Sequence, residues 1–265
     1  MLFGEHLVVV RGGGDLATGA VHHLMTAGFA VIVLELERPL ALRRTVSVAS
    51  AVLEGNVTVD GIDAVLVDSV AAAVKVAGTG VAAVLVSPEL PASAPPASVL
   101  VDARVAKRNL DTAIDQAPLV IGLGPGFIAG RDCHAVVETM RGHRLGRVIW
   151  DGAAADDTGV PGQVGGVGAQ RVVRAPGTGL VNWTVDIGDM VGSRQPLGIV
   201  GEAQVVAPIA GVVRGLIAPG HQARPDLKIG DIDPRADRSA CFEISDKARL
   251  VGGGVLEAVL TWLNR

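Results

Sequence analysis

The N-terminal part of the chain alternates short, continuous apolar runs with segments of helical or loop character. Residues 7–10 and 31–34 form the first two runs, and a segment of helical character at residues 15–27 lies between them. Further runs cover residues 65–67, 83–86, 99–101 and 119–121. Strands that are apolar at every position are typical of a sheet with both faces covered, and alternation with helices is typical of parallel strands. The pattern predicts an α/β fold, with a Rossmann-like parallel-sheet domain over residues 1–151.

A different pattern begins after a glycine-rich connector, which we place at residues 152–170. Residues 175–181 (APGTGLV) align with residues 207–213 (APIAGVV) at an offset of 32 residues. Two such copies predict two similar strand–turn–strand units, paired into a small β-rich barrel or sandwich over residues 171–249. Chance similarity between two proline–glycine turns is the alternative explanation.

The last segment, residues 250–265, places apolar side chains on one stripe of a short helix. Val255, Val259 and Leu263 lie on that stripe. We therefore expect a C-terminal helix that packs back on the first domain.

Composition excludes some classes of function. The 265 residues are 49% hydrophobic and 19% charged, which is enough apolar material for a substantial core. With a net charge of −4 and 3% aromatic residues, the chain lacks the basic face and stacking rings typical of nucleic-acid readers. Its N-terminus has no basic region of the export type, and Lys75 interrupts the longest apolar stretch. Two cysteines cannot build a disulfide scaffold. We expect a cytoplasmic protein without nucleic-acid or membrane partners.

The first predicted strand runs into three glycines, Gly12, Gly13 and Gly14, where the pattern G-x-G-x-x-A opens the first helix. Gly12 permits a tight turn, and Gly14 lets the backbone approach a pyrophosphate. The helix N-terminus adds free amides and a partial positive charge. Glu35, at the end of the second strand, has the position of a carboxylate that binds a ribose hydroxyl. The loop thus predicts a nucleotide-like ligand.

Asp15 complicates this interpretation, because its carboxylate places a negative charge beside any bound phosphate. Aspartate is also a good helix cap, and it could hold a sugar hydroxyl. A tight strand–helix turn with a capping aspartate and no ligand is therefore the alternative.

A second glycine loop follows the last predicted strand. Six residues in and after it are candidates for ligand contacts: Gly122, Gly124, Gly126, His134, Arg141 and His143. Because the carboxyl ends of parallel strands meet at one edge of a sheet, the two glycine loops are expected to lie side by side. Arginine would supply charge to an anionic ligand, and His134 would contact the ligand or donate a proton. A solvated basic segment is the alternative.

No sequence motif identifies a catalytic reaction. No P-loop, nucleophile elbow or metalloprotease sequence is present, so no catalytic residue is predicted and enzymatic activity stays open. Cys133, His134 and Glu138 match no standard zinc spacing, and no metal site is predicted.

Several stretches together resemble the YqeB-type family of the selenium-dependent molybdenum hydroxylase maturation system. They extend over essentially the whole chain: residues 11–19 (RGGGDLATG), 121–127 (IGLGPGF), 134–139 (HAVVET), 228–235 (KIGDIDPR), 244–248 (ISDKA) and 252–258 (GGGVLEA). The resemblance implies an accessory or maturation protein for molybdenum hydroxylases. Its partners would be hydroxylase subunits or proteins of cofactor biosynthesis.

The first domain is also similar to the Rossmann domain of XdhC-type proteins, which bind and deliver molybdenum cofactor. This similarity implies that the glycine loops hold a molybdopterin dinucleotide or its phosphate. The C-terminal repeat resembles a lipoyl or biotinyl carrier barrel, but no lysine lies between Lys107 and Lys228. Without that amine, an interaction module is expected. An NAD(P)-dependent oxidoreductase that uses the first loop with Glu35, and a ligand-free scaffold, remain as alternatives.

Overall fold

The computed structural model describes residues 1–91, 96–159 and 162–265. The chain divides into two compact units. The first comprises Met1–Pro39, Ser47–Asp157 and Ile244–Arg265, and the second comprises Leu40–Val46 and Thr158–Glu243. The predicted connector at residues 152–170 is thus divided between the units, and its residues 160 and 161 lie outside the described residues.

A large mixed sheet forms the centre of the first unit. The nine strands of this sheet are β1 (Phe3–Arg11), β2 (Phe29–Glu35), β3 (Asn56–Val59), β4 (Ile62–Val67), β5 (Ala82–Val86), β6 (Val99–Asp102), β7 (Leu119–Leu123), β9 (Ala135–Val137) and β10 (Val148–Ile149). Strands β8 (Ile128–Ala129) and β11 (Gly152–Ala153) form a separate two-stranded sheet. The strand order is β10-β9-β7-β6-β1-β2-β5-β4-β3. The seven inner strands are parallel, and the edge strands β3 and β10 are antiparallel to their neighbours.

The continuous apolar runs are explained by cores on both faces of this sheet. In β1, Val8 and Val10 pack in one core with helices α1 (Asp15–Ala27) and α4 (Asp246–Leu263). Val9, between them in sequence, packs in the core on the other face, with helix α3 (Val70–Ala77). A short helix, α2 (Ala51–Glu54), precedes β3. Because successive side chains point to opposite faces, a strand covered on both sides must be apolar throughout.

The C-terminal helix α4 belongs to the first unit and packs against α1. It begins at Asp246, four residues before the predicted start, because the Ser245 hydroxyl caps it by accepting the Ala248 N–H at 3.1 Å. A Cβ atom at Gly19 would overlap the backbone of Ala248, and one at Gly252 would overlap the backbone of Gly19. Glycine at these two positions is therefore required by the close approach of the helices.

The second unit consists of two four-stranded sheets. Its strands are β12 (Val172–Arg174), β13 (Gly179–Trp183), β14 (Met190–Val191), β15 (Pro196–Val200), β16 (Ala203–Val206), β17 (Gly211–Leu216), β18 (Gln222–Ala223) and β19 (Lys228–Asp233). The orders are β12-β19-β17-β14 and β16-β15-β13-β18. When the eight strands are taken as a cycle, replacing each strand by the one four places further along converts one sheet into the other. In residue number, β18 follows β14 by 32 residues, and β19 follows β15 by 32 residues. The sequence repeat is therefore a structural repeat, in which each half contributes strands to both sheets.

The second unit has its own core, formed by apolar residues of both sheets. Within the described residues, no helix of either unit combines the length and apolarity needed to cross a membrane.

Candidate functional site

The two glycine loops begin at one edge of the large sheet. The chain proceeds from β1 to β2 on one side and later returns to β6 on the other, so strand order changes direction beside β1. Arg11, Asp102 and Gly122, at or near the ends of β1, β6 and β7, are in register across the sheet. Since β1 and β7 are separated by one strand, the two loops start about 10 Å apart. This carboxyl edge is where open α/β sheets bind ligands.

Most of the first loop is bonded to its own chain. Gly12, with φ of 89°, donates its N–H to Leu34 O at 2.8 Å. Gly13 donates its N–H to Glu35 Oε1 at 2.7 Å, and its carbonyl accepts the Ala49 N–H at 2.9 Å. The second Glu35 oxygen accepts the N–H of Leu36 at 2.7 Å. Glu35 therefore binds and orders the loop from the end of β2.

Gly14 differs from the two preceding glycines. It is the N-cap residue of α1, with φ of −70° and ψ of −174°, and no side chain caps the helix there. An added Cβ atom would find nothing within 4 Å. The N-terminus of α1 thus adjoins open space at Gly14, with Asp15 as the first helical residue. Backbone amides at a helix N-terminus favour an anion.

Charged groups of α4 and of the segment after β9 lie close to Asp15. The half-buried Lys247 interacts electrostatically with Asp15 and Glu138. Burial lowers the pKa of Lys247, and the nearby Arg141 guanidinium lowers it further, whereas the carboxylates of Asp15, Glu138 and Asp246 oppose that change. In the described part of the chain, the Lys247 ammonium makes no direct hydrogen bond or ion pair. It is therefore available to an anion at this edge.

The neighbouring groups are held in place. The buried Glu138 accepts the N–H of Met140 at 2.7 Å and the N–H of Ala155 at 2.8 Å, so it fastens two loops. Arg141 forms a bidentate ion pair with Asp246, at 2.7 and 2.8 Å. Arg141 thus lies at the predicted edge of the sheet, but its guanidinium already binds a carboxylate.

The second glycine loop packs closely against other parts of the chain. A Cβ atom at Gly122 would overlap the Phe127 ring, and one at Gly124 would overlap the Thr139 side chain. At Gly126 it would overlap the backbone of Arg108. Packing within the chain therefore accounts for glycine at these three positions, and their cofactor-binding role stays a prediction. Among the six glycines of the two loops, only Gly14 has open space at its Cβ position.

The two predicted histidines lie at different edges of the sheet. The Nδ1 atom of His134 accepts the N–H of Val120 at 3.0 Å, beside the first half of β7. His134 is therefore at the amino edge, away from the glycine loops, and burial together with Arg265 lowers its pKa. His143 is exposed in the turn after β9, at the carboxyl edge. The structure brings His143 and Arg141 to the edge that carries Gly14, but not His134.

The sequence interpretation missed a network of charged residues between the ends of β1 and β6. Arg11, which is 2% exposed, donates to Asp111 Oδ2 at 2.7 Å and to Thr112 Oγ1 at 3.1 Å. Arg104 donates to Asp102 Oδ2 and to Asp111 Oδ1, both at 2.6 Å. The hydrogen bond from Arg11 and that from Arg104 hold the pKa of Asp111 below its usual range. A carboxylate directly after an apolar run, as at Asp102, was the available sequence signal.

This network lies at the point where the strand order changes direction, at the ends of β1 and β6. Doubly wound sheets commonly bind ligands there. In this chain two arginines and two aspartates form ion pairs with one another there. Asp15, next to the open position at Gly14, instead interacts electrostatically with Lys247 of α4.

Comparisons with known proteins give one extensive sequence match. The chain is 47% identical to the uncharacterized protein YqeB of Escherichia coli (strain K12) over 264 residues, which is 99% of this chain and 49% of that protein. The chain thus spans about half the length of this curated relative. The match supports the resemblance to YqeB-type proteins. No family model matches the chain.

Among solved structures, a succinylglutamatedesuccinylase/aspartoacylase from Rhodobacter sphaeroides aligns with 87% of this chain and 85% of its own. The identity is 14% and the TM-score is 0.27. A TM-score this low supports no inference about fold or function.

Proposed function

We propose that the chain is a cofactor-binding accessory protein for the maturation of molybdenum hydroxylases, including selenium-dependent ones. The ligand is a molybdopterin dinucleotide or a related phosphate-bearing cofactor. One observation carries the ligand proposal: the uncapped N-terminus of α1 adjoins open space at Gly14, beside the unpaired ammonium of Lys247. The role in hydroxylase maturation rests on the resemblance to YqeB-type proteins.

The residues at this position fit one phosphate group. The amides at the start of α1 would face it, and Lys247 would neutralise part of its charge. Asp15 and Glu138 bring two carboxylates against the one ammonium of Lys247, which favours a ligand that also offers hydroxyl donors to these carboxylates, such as a sugar or a reduced pterin. When bound, the cofactor supplies the redox chemistry of the hydroxylase that receives it. This chain's residues hold and shield the phosphate end.

The architecture supports the finer description of the fold. A parallel sheet whose strand order changes direction at β1 is typical of a Rossmann-like domain, and two sheets related by an internal repeat are typical of lipoyl-like modules. The β15–β16 hairpin turns at Gly201 and Glu202, so it offers no amine for lipoate or biotin. We therefore propose that the second unit is an interaction module for hydroxylase subunits or cofactor-biosynthesis proteins.

The geometry favours this ligand over NAD(P). In dinucleotide-binding domains, the carboxylate after the second strand binds the ribose. Here both oxygens of Glu35 already accept backbone N–H groups, and Ala49 adjoins Gly13. The nucleoside side of the loop is thus occupied by the chain itself, which leaves the phosphate side at Gly14. The ligand-free scaffold, the other alternative, predicts no stabilisation by any small molecule.

The experiment is native purification followed by assay of bound pterin, nucleotide, molybdenum and selenium. We expect pterin and nucleotide in the parent protein and a large loss in Lys247→Met, which removes the charge without breaking a direct bond. Lys75→Met, at an exposed position in α3, is the matched control and should keep the parent's content. A parent protein free of pterin and nucleotide that shows no thermal shift with either would overturn the proposal.

A further inference from the structure

Residues 228–235 (KIGDIDPR) form β19 and the turn after it, in the second unit. Ile229 and Ile232 of this strand pack in the core of the unit. Lys228 and Asp231 do not belong to that core, and β19 pairs with both β12 and β17. Two arginines approach Asp231 from these neighbours: Arg171, directly before β12, and Arg214 of β17.

The carboxylates of this cluster are buried and fully engaged. Asp231 accepts from Arg171 Nη1 and from Arg214 Nε, the latter at 2.9 Å. Asp233 accepts from Arg235 Nη2 at 2.7 Å and lies 3.6 Å from Arg214 Nη1. With Lys228, the cluster holds four cations and two carboxylates.

Arg171 and Lys228 both have unused donors. Arg171 is 6% exposed, and among the described residues its Nε–H has no hydrogen-bond partner, while its Nη2 donates to Gly162 O at 3.0 Å. In the described part of the chain, the Lys228 ammonium makes no hydrogen bond or ion pair. Burial lowers the pKa of Lys228, and Arg171, Arg214 and Arg174 lower it further, against the opposing effect of Asp231. The cluster therefore has a positive excess that its own carboxylates do not balance.

An unpaired buried donor and an excess of buried cations both cost free energy. We propose that this cluster is an oxyanion site that binds a phosphate group through Lys228, Arg171 and Arg214. The excess of two positive charges matches a phosphate dianion better than a monocarboxylate. Arginine presents planar, forked donors that suit phosphate oxygens, and Lys228 adds a point charge. Lys228 is half-buried, so the ligand reaches it from solvent.

The phosphate group belongs either to free phosphate or to a small phosphate monoester. The site consists of residues of the second unit, whereas Gly14 and Lys247 belong to the first, and the inference does not rest on the function proposed above. It gives the second unit, which has no lysine at its β15–β16 hairpin, a ligand of its own.

The test measures the melting temperature of the full chain at constant ionic strength in chloride, acetate, inorganic phosphate and glycerol phosphate. Three further proteins are compared with the parent: Lys228→Met, the control Lys75→Met, and Lys247→Met, which alters only the first unit. Because the Lys228 charge is unpaired, Lys228→Met should fold and melt at or above the parent's temperature in chloride.

In phosphate we expect the melting temperatures of the parent, Lys75→Met and Lys247→Met to rise. We expect the affinity of Lys228→Met for phosphate to be at least about tenfold lower than that of the parent. A titration followed by ³¹P line broadening gives these affinities directly. A larger gain with glycerol phosphate assigns a monoester, and a larger gain with inorganic phosphate assigns the free ion. Equal gains in acetate, an unchanged affinity in Lys228→Met, or no gain of the parent over chloride would each overturn the site. Loss of the response in Lys247→Met alone would assign phosphate binding to the first unit instead.

Discussion

Asp111 illustrates how a single exposed carboxylate can stabilise buried charge. It is 47% exposed at its side chain, yet it pairs with Arg11, whose side chain is 3% exposed, and with Arg104. Asp111→Asn removes the negative charge from both pairs and leaves Arg11 with Thr112 as its remaining side-chain partner. We expect a loss of about 1–3 kcal/mol in the free energy of unfolding, measured by urea denaturation.

Asp115→Asn is the matched control, because Asp115 is exposed in the following turn. Equal stability of the two variants would contradict the importance of the network. Because the pKa of Asp111 is lowered in the folded state, its contribution is present above the unfolded value near 3.8 and is lost as the pH falls through the folded value.

Three half-buried histidines also make the stability of the fold depend on pH, in a higher pH range than Asp111. Burial is the largest cause of a lowered pKa at His22, His23 and His134. The unfolded chain therefore binds more protons than the folded one as the pH falls through about 6.5, and the folded state loses stability there. We expect the melting temperature to fall between about pH 7.5 and 5.5. A flat profile in the parent would refute the argument.

At the scale of elements, the helix pair α1 and α4 depends on two backbone contacts. A Cβ atom at Gly19 would overlap Ala248, whereas one at Gly253, on the same helix as Ala248, would find open space. Gly19→Ala should cost about 1–3 kcal/mol in the free energy of unfolding by forcing the helices apart. Gly253→Ala should be neutral, or stabilising by up to about 1 kcal/mol, because alanine favours the helix. Equal effects of the two variants in urea denaturation would show that the contact does not limit stability.

The apolar runs predict six of the seven inner strands, and the segment between the first two runs predicts α1, because strands covered on both faces and a helix ended by glycine leave local signals. The short inner strand β9 was not predicted. Gly28, with φ of 95°, ends α1 at the predicted position. The roles of the two glycine loops could not be predicted, because their patterns are alike. Their difference depends on Thr139 and Arg108, which are distant in sequence from the glycines they contact. The same holds for Asp111, whose partners are fixed only by the tertiary fold.

At the scale of the whole molecule, the two units offer different chemistry. The first presents an open helix N-terminus at the edge of a parallel sheet, and the second a cationic cluster on an internally repeated β-module. The repeat is visible in the sequence because both copies keep the same proline–glycine turns. The inclusion of residues 40–46 in the second unit is not visible in the sequence, because no local feature of this segment links it to a domain more than 100 residues further along the chain.

The most direct measurement is the affinity of pyrophosphate, the phosphate part of a dinucleotide cofactor, for the parent and Gly14→Val by calorimetry. The backbone at Gly14 suits valine and its Cβ atom would meet nothing, so the variant should fold and fill the space beside α1. Gly253→Val, the same substitution at another open glycine, is the control. Lys228→Met removes the second unit's contribution from the titration. In that background we predict that Gly14→Val weakens binding at least about tenfold while Gly253→Val binds like the parent. Equal affinity in all three proteins would contradict the assignment of an anion site to Gly14.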